Sequence, residues 1–397
     1  MKKVLIVAEN LDLGGVEKIL ISWLHALVGR NDLEVNLFLL NQNGRLVKEI
    51  DKKVKIVHHD KKYDDKFTPF YIRKKQKNKI KFLIETASDL IKTKTTKQKY
   101  GISAGAAIRY YYAKKTEPLK GAFDISIAFT DGAPLEYIEN NVESREKIVF
   151  IHGEYNSKLP KIKQESFEKI DRIICVSERV KDRLVKQLPS IRRKTTVIDN
   201  FVKINKKARN ERAKYPYDSP INILSVGRIS PQKNYYNFIK KIIENKNKIQ
   251  NKCHIYVIGE GPDYKKIETV IEQNKANNIV TLLGYKYNPY PWINACDIYV
   301  QPSINEGDSI AIKEAKAFNK PIIATDVGNA NKVISDGHDG FIVKNLDDLI
   351  DKLVTVVNDK NIRNDIITNS KREAKGDDIY KKTLELIPIK KSQSKNE

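Results

Sequence analysis

The stretch Ile298–Gly328, "IYVQPSINEGDSIAIKEAKAFNKPIIATDVG", decides how the chain is read. "IYVQPS" is a short apolar run and reads as a strand. "INEGD" is the loop at its C-terminal end, and Ser309 is placed to cap a helix of roughly Ile310 to Phe318. "PIIATD" is the next strand. Strands that are apolar all along, separated by helices, argue for a parallel sheet covered on both faces. The same alternation extends outward through "INILSVG", "HIYVIG", "IVTLLG" and "GFIV". Towards the N-terminus a first series reads "KVLIVA", "EVNLFLL", "VKIVHH", "DISIAFT", "KIVFIHG", "RIICVS" and "TTVIDN". Its first helix has Val16, Ile19, Leu20, Trp23, Leu24 and Leu27 at a 3.6-residue period.

Between the two series, Phe201 to Pro220 is polar, holds prolines and lacks periodicity, the pattern of a domain boundary. The expected organisation is a first Rossmann-like domain over 1–203, a linker over 204–219 and a second domain over 220–375. A terminal helix over 376–390 is expected to return to the first domain, before a tail over 391–397. Two domains suit 397 residues, of which 40% are hydrophobic. The expected fold class is α/β, with two doubly wound domains facing across a cleft.

Cys175, Cys253 and Cys296 are scattered and odd in number, which reads as reduced thiols in a cytoplasmic protein. The apolar run Val4–Ala8 is too short for a signal peptide and reads as a strand. No run is long enough to span a membrane. The net charge of +23 is uneven: from Lys61 to Lys120 there are seventeen Lys and Arg against five Asp and Glu. Within that region Tyr71–Lys99 sets Ile80, Phe82, Leu83, Ile84, Leu90 and Ile91 among lysines. An anionic membrane surface and a solvated helical insertion both fit this pattern. Nucleic acid is not expected, because no pattern of a nucleic-acid-binding module appears.

In doubly wound sheets, ligands sit at the C-terminal strand edges near helix N-termini. Gly307 allows close approach, and the amides around Asp308 to Ile310 form an anion pocket. Glu306 on the rim and Glu314 a turn into the helix can accept hydrogen bonds from hydroxyls. That combination suits a phosphate flanked by polyols, as in a nucleotide sugar. A strand end and a solvated helix face would give the same spacing. "SVGRISPQKN" adds Gly227, Arg228 and Lys233 at another strand end, two cations suited to phosphates. No further ligand set accompanies His58 and His59, and no Asp-x-Asp ends a strand of the second domain, so no metal or other cofactor is expected. "GEGP" at Gly259–Pro262 lacks the third glycine of a dinucleotide fingerprint and reads as a tight turn.

Taken together, "VGRISPQKN", "VIGEGPDYKKIE", the stretch through Gly328 and "ISDGHDGFIV" resemble retaining glycosyltransferases of family 4, which have the GT-B fold. "LDLGGVEK" and "RIICVSERVKDRL" resemble the family's first domain. The resemblance implies transfer of a hexose-type sugar from a nucleotide diphosphate sugar, UDP-linked, to a hydroxyl of a glycan or lipid-linked acceptor. It implies a setting in capsular, exopolysaccharide or other cell-envelope glycan synthesis. Arg228 and Lys233 would hold the diphosphate, Glu306 the transferred sugar and Glu314 the ribose. Gly307 to Ser309 would offer amides, and Gly14 and Gly15 would let the first domain's loop approach. His152 would face the transferred sugar, and Tyr285 would lie against the base. Asp308 departs from the family, which places an apolar residue there; Asn329 and Lys332 depart too. The alternative is a non-catalytic GT-B partner subunit that binds an acceptor or another transferase.

Overall fold

The computed structural model describes the chain except residues 13, 69–78, 156–157, 203, 205–209, 218, 250, 307, 374–378 and 389–397. The chain forms two compact units, Met1–Asp199 with Asp378–Glu397, and Asn200–Asp377. The fold class is α/β, with one parallel Rossmann-like sheet in each unit.

The first sheet holds β1 (Lys2–Ala8), β2 (Leu33–Leu39), β3 (Lys55–Val57), β4 (Ala122–Ala128), β5 (Glu143–Ile151), β6 (Arg172–Cys175) and β7 (Thr195–Val197). Their order is β3-β2-β1-β4-β5-β6-β7. The chain winds outward from β1 in one direction, then restarts at β4 and winds the other way. The C-terminal ends of β1 and β4 therefore flank a switch point, where ligands of such sheets bind.

The second sheet holds β8 (Asn222–Val226), β9 (His254–Ile258), β10 (Val280–Gly284), β11 (Ile298–Gln301), β12 (Ile322–Thr325) and β13 (Phe341–Val343), in the order β10-β9-β8-β11-β12-β13. Its switch point lies between β8 and β11. Alternation explains the apolar strands. Ile223, Ile255, Val257 and Ile323 enter one core with Phe238, Ile239 and Leu349. Leu224, Tyr256, Ile258 and Ala324 enter the core on the other side with Ile312 and Ala315. Each strand is thus buried on both faces, which removes the polar alternation of a half-exposed sheet.

The expected linker is in part structural. Tyr215 is buried against Tyr256 and Trp292, with ring centroids 4.3 and 5.2 Å away, and its hydroxyl donates to Trp292 O at 2.7 Å. A polar stretch without periodicity hides such a single aromatic anchor. The cysteines are buried and unbonded.

The helix Ile379–Leu386 belongs to the first unit although it follows the second in sequence. Two arginines hold its end. Buried Arg30 donates to Thr383 O at 2.9 Å and Ile387 O at 2.5 Å, and pairs with Asp32 through both nitrogen faces. Arg172 donates to Leu386 O and Glu385 O at 2.8 and 3.0 Å. The last carbonyls of a helix lack intrahelical partners and carry its negative end, so guanidinium groups satisfy them twice over.

Candidate functional site

The second unit's switch point gathers Gly227, Lys233 and Glu306. Gly227 follows β8, and its carbonyl would lie 1.9 Å from a Cβ on Gly259. Only glycine at 259 lets the loops after β8 and β9 pack this closely. "GEGP" is therefore a packing loop, and Gly227 N bonds Ile258 O at 3.0 Å beside it. The short turn Pro231–Lys233 then aims Lys233 back over the strand ends, and Asn234 follows in the left-handed region at φ 62°.

Lys233 Nζ pairs with Glu306 Oε1. Glu306 is buried, not on an open rim, and a polar relay supports it. Tyr299 OH donates to Gln301 Oε1 at 2.9 Å, and Gln301 Nε2 donates to Ser303 Oγ at 2.9 Å. Ser303 Oγ in turn donates to Glu306 Oε1 at 2.7 Å, and Gln301 Nε2 reaches the same oxygen at 3.4 Å. Lys233, Ser303 and Gln301 thus converge on Glu306 Oε1; among the described residues Oε2 has no partner. Burial pushes the Tyr299 and Tyr235 hydroxyls far above their ordinary range, so both stay neutral donors. Gly328, at φ 62°, packs on Glu306, whose carbonyl would lie 2.8 Å from an added Cβ.

The loop ends at Ser309, the N-cap residue of the helix Ile310–Ala317. The expected side-chain cap is not made: Ser309 Oγ is buried without a hydrogen-bond partner among the described residues. A buried hydroxyl and the open first-turn amides of a helix thus lie beside each other, a set of donors for an oxygen-rich ligand. Asp308 adds a buried oxygen beside that set: Oδ1 has no hydrogen-bond partner among the described residues, while Oδ2 is held by a lysine. That lysine is Lys313, whose Nζ lies 2.9 Å away and also donates to Asn200 O at 2.6 Å. Burial raises the Asp308 pKa and Lys313 opposes that. Glu314 is 2% exposed, which removes the solvated-face reading. It accepts from Tyr290, whose pKa burial and this carboxylate together push far up. Arg228 is exposed after β8, Tyr285 is half-buried after Gly284, and Lys332 is exposed. Gly307 lies outside the described residues.

Gly14, Gly15 and His152 belong to the first unit. Gly14 precedes the helix Gly15–Leu27 in extended backbone. The space over it is filled by Glu17, whose Oε2 would lie 2.1 Å from a Cβ at Gly14. His152 follows β5. Its Nε2–H donates to Phe129 O at 2.9 Å, and its ring packs on Phe129 and Phe150. Burial lowers its pKa to about 4, so it is neutral at neutral pH with Nδ1 as an acceptor.

Groups not singled out from the sequence complete both edges. In the first unit, Lys163 Nζ bonds Asp131 Oδ2 at 2.5 Å and Tyr155 OH at 3.1 Å, and Arg109 lies 3.5 Å from Glu9. Burial raises the pKa of both Glu9 and Glu17. In the second unit the missed groups are Gln301, Ser303 and Tyr290. Asp131 sits just past a strand end before Gly132, the one available signal; the rest depend on contacts between distant segments.

Comparison with known proteins adds to this geometry. Residues 207–373 match the family model "Glycosyl transferases group 1". An uncharacterized glycosyltransferase of Methanocaldococcus jannaschii, MJ1178, is 31% identical over 209 residues, 52% of this chain and 55% of its own. The UDP-Gal:alpha-D-GlcNAc-diphosphoundecaprenol alpha-1,3-galactosyltransferase of Escherichia coli is 30% identical over 233 residues, 53% of this chain and 59% of its own. The chain thus spans little more than half the length of these relatives. A variant of S. aureus TarM, in complex with Fondaparinux, alpha-GlcNAc-glycerol and UDP, superposes with a TM-score of 0.70 at 18% identity, covering 98% of this chain and all of that one. Anabaena HepE in complex with UDP and glucose gives 0.61 at 16%, covering 94% of each chain. The chain therefore has the GT-B class of fold, and its second unit, from 207 to 373, is similar to group 1 glycosyl transferases.

Proposed function

We propose that the protein is a glycosyltransferase that takes a sugar from a nucleoside diphosphate sugar, UDP-linked, and gives it to an acceptor hydroxyl with retention of anomeric configuration. One observation carries this reading: the Lys233–Glu306 pair lies at the β8/β11 switch point, beside the unpartnered Ser309 hydroxyl and a helix N-terminus. A diphosphate needs cations and amides, and a sugar needs carboxylate and hydroxyl partners. The UDP named with the TarM and HepE structures and the UDP-Gal in the E. coli relative's name support the nucleotide. The diphosphoundecaprenol acceptors named for the E. coli and Campylobacter jejuni relatives support an envelope glycan setting.

In the reaction the bond from the anomeric carbon to the diphosphate oxygen breaks, a bond to the acceptor oxygen forms, and the acceptor's proton passes to the departing diphosphate. Lys233 and Arg228 would offset charge growing on the departing diphosphate, with the helix-end amides. As Lys233 turns to the phosphate, Glu306 becomes available to a sugar hydroxyl. Glu314 would accept from ribose hydroxyls. His152 is neutral, so it would orient a hydroxyl through Nδ1 and would not protonate one. Most of the rate would come from positioning and electrostatics.

Thermal melting against UDP, other nucleotides and UDP-sugars tests the donor site. A ligand at about 100 times its Kd adds about 2.7 kcal/mol. Stabilisation by UDP that Glu314→Ala loses is the expected result; no response to any nucleotide sinks the reading. UDP binding without release of UDP from any UDP-sugar, across a panel of acceptors, favours the non-catalytic subunit instead.

A further inference from the structure

The helix Lys79–Tyr100 is built inside out. Its buried side chains, Phe82, Asp89 and Thr93, share one side at the helical period. Asp89 there accepts from Lys66 Nζ at 2.9 Å and from Tyr112 OH at 2.7 Å, and Thr93 Oγ1 donates to Asp89 O at 2.7 Å. The opposite side carries Leu83, Ile84, Leu90 and Ile91, which are 64, 65, 43 and 76% exposed, in line with exposed Ile80. A helix on a globular core normally turns its apolar stripe inward. Here the anchored side sets one apolar residue, Phe82, beside the polar Asp89 and Thr93, and a longer apolar stripe faces solvent. Lys92, Lys94, Lys97 and Lys99 flank and extend the stripe, and all four are exposed. One turn past Ile91 the helix reaches a cavity of about 460 Å³ lined by Thr95, Lys99, Tyr100, Tyr111, Lys114 and Lys115, among others. Lys99 lies over the Tyr100 ring and Lys115 over the Tyr111 ring, at 4.9 and 6.0 Å from the centroids.

We propose that this face docks the protein on an anionic phospholipid surface. The Ile and Leu side chains enter the boundary between headgroups and acyl chains, and the lysine-lined cavity takes a headgroup phosphate. An apolar stripe bordered by ammonium groups matches that boundary, where apolar burial and attraction to anionic lipid act together. The stripe is contiguous, unlike the scattered single apolar residues of ordinary surfaces. A second copy of the chain fits less well. The helix carries six lysines against two carboxylates, one of them buried Asp89, so pairing this face with itself sets like charges together. Among the described residues no helix is long and apolar enough to cross a membrane, so the helix would lie on the surface. The inference does not depend on the donor-site reading.

Co-sedimentation of the full chain with vesicles at physiological salt tests it. Vesicles of phosphatidylcholine alone are compared with phosphatidylcholine mixed with phosphatidylglycerol. Retention on the mixed vesicles alone is expected. Leu83→Gln, Ile84→Gln and Ile91→Gln together should weaken partitioning by roughly tenfold per side chain. Lys99→Gln with Lys115→Gln should weaken it by about fivefold per charge. All five side chains are exposed, and an unchanged melting temperature confirms that the variants fold. The proposal is overturned by wild type that fails to bind the mixed vesicles, or by an apolar variant that binds them as well as wild type. It is also overturned if wild type sediments as a dimer without vesicles and the apolar variant as a monomer, since the face then belongs to a second copy.

Discussion

Lys233 and Glu306 stand 73 positions apart and meet at one carboxylate oxygen. Lys233→Ala removes both a phosphate cation and the partner of a buried carboxylate. We expect a fall in kcat/KM of at least about 100-fold, read from UDP release. Asp308 predicts the opposite. Its Oδ2 is paired with Lys313, so if that pair is its whole role Asp308→Asn should change the donor KM by less than about threefold. A large shift in donor preference would show that this carboxylate reaches the sugar after all. His152 and His254 both have their pKa lowered from 6.5 to about 4, by burial. A lowered histidine pKa favours the neutral folded form, while the unfolded chain takes up protons first as pH falls. The stability each contributes is complete above pH 6.5 and is lost as pH falls from 6.5 through 4. The raised carboxyl pKa values of half-buried Glu9 and Glu17, and of Asp308, run the other way, so each histidine is isolated by comparison with its glutamine variant. The gap in denaturant midpoint between wild type and His152→Gln or His254→Gln should shrink across this window. No acid limb from His152 should appear in kcat above about pH 5.

The strands were legible because burial on both faces leaves unbroken apolar runs, as in "KVLIVA" and "HIYVIG". The helix after Glu306 was legible from its apolar spacing. Its cap was not, since a serine at the right position reveals nothing of where its hydroxyl points. The orientation of the helix Lys79–Tyr100 was equally hidden: its sequence shows two sides, and only Lys66 and Tyr112 decide which one is anchored. Glu314 was readable as a carboxylate on a helix, but its burial under Tyr290 depends on a separate element. Gly328 shows how an element boundary sets a site. Gly328→Ala should destabilise the second unit by about 1–2 kcal/mol through the left-handed backbone. It should lower kcat/KM beyond that loss, because Glu306 must move aside. A variant with normal activity and lowered melting would restrict Gly328 to a structural role.

The molecule's two units are not each a single stretch of chain. Arg30 and Arg172 bring the last described helix back to the first sheet. Arg30→Ala should therefore cost about 2–3 kcal/mol, and the loss should fall on the first unit's unfolding transition. Hydrogen exchange resolved along the sequence would separate this from a uniform loss across both units. Truncation after Asp377 should act in the same direction, while amides of β8–β13 keep their protection. The same closure bears on how the protein is made. Asn200–Asp377 is one continuous stretch, made before the helix that completes the first unit. The unit that begins first must wait, one helix short, until Ile379–Leu386 has been made.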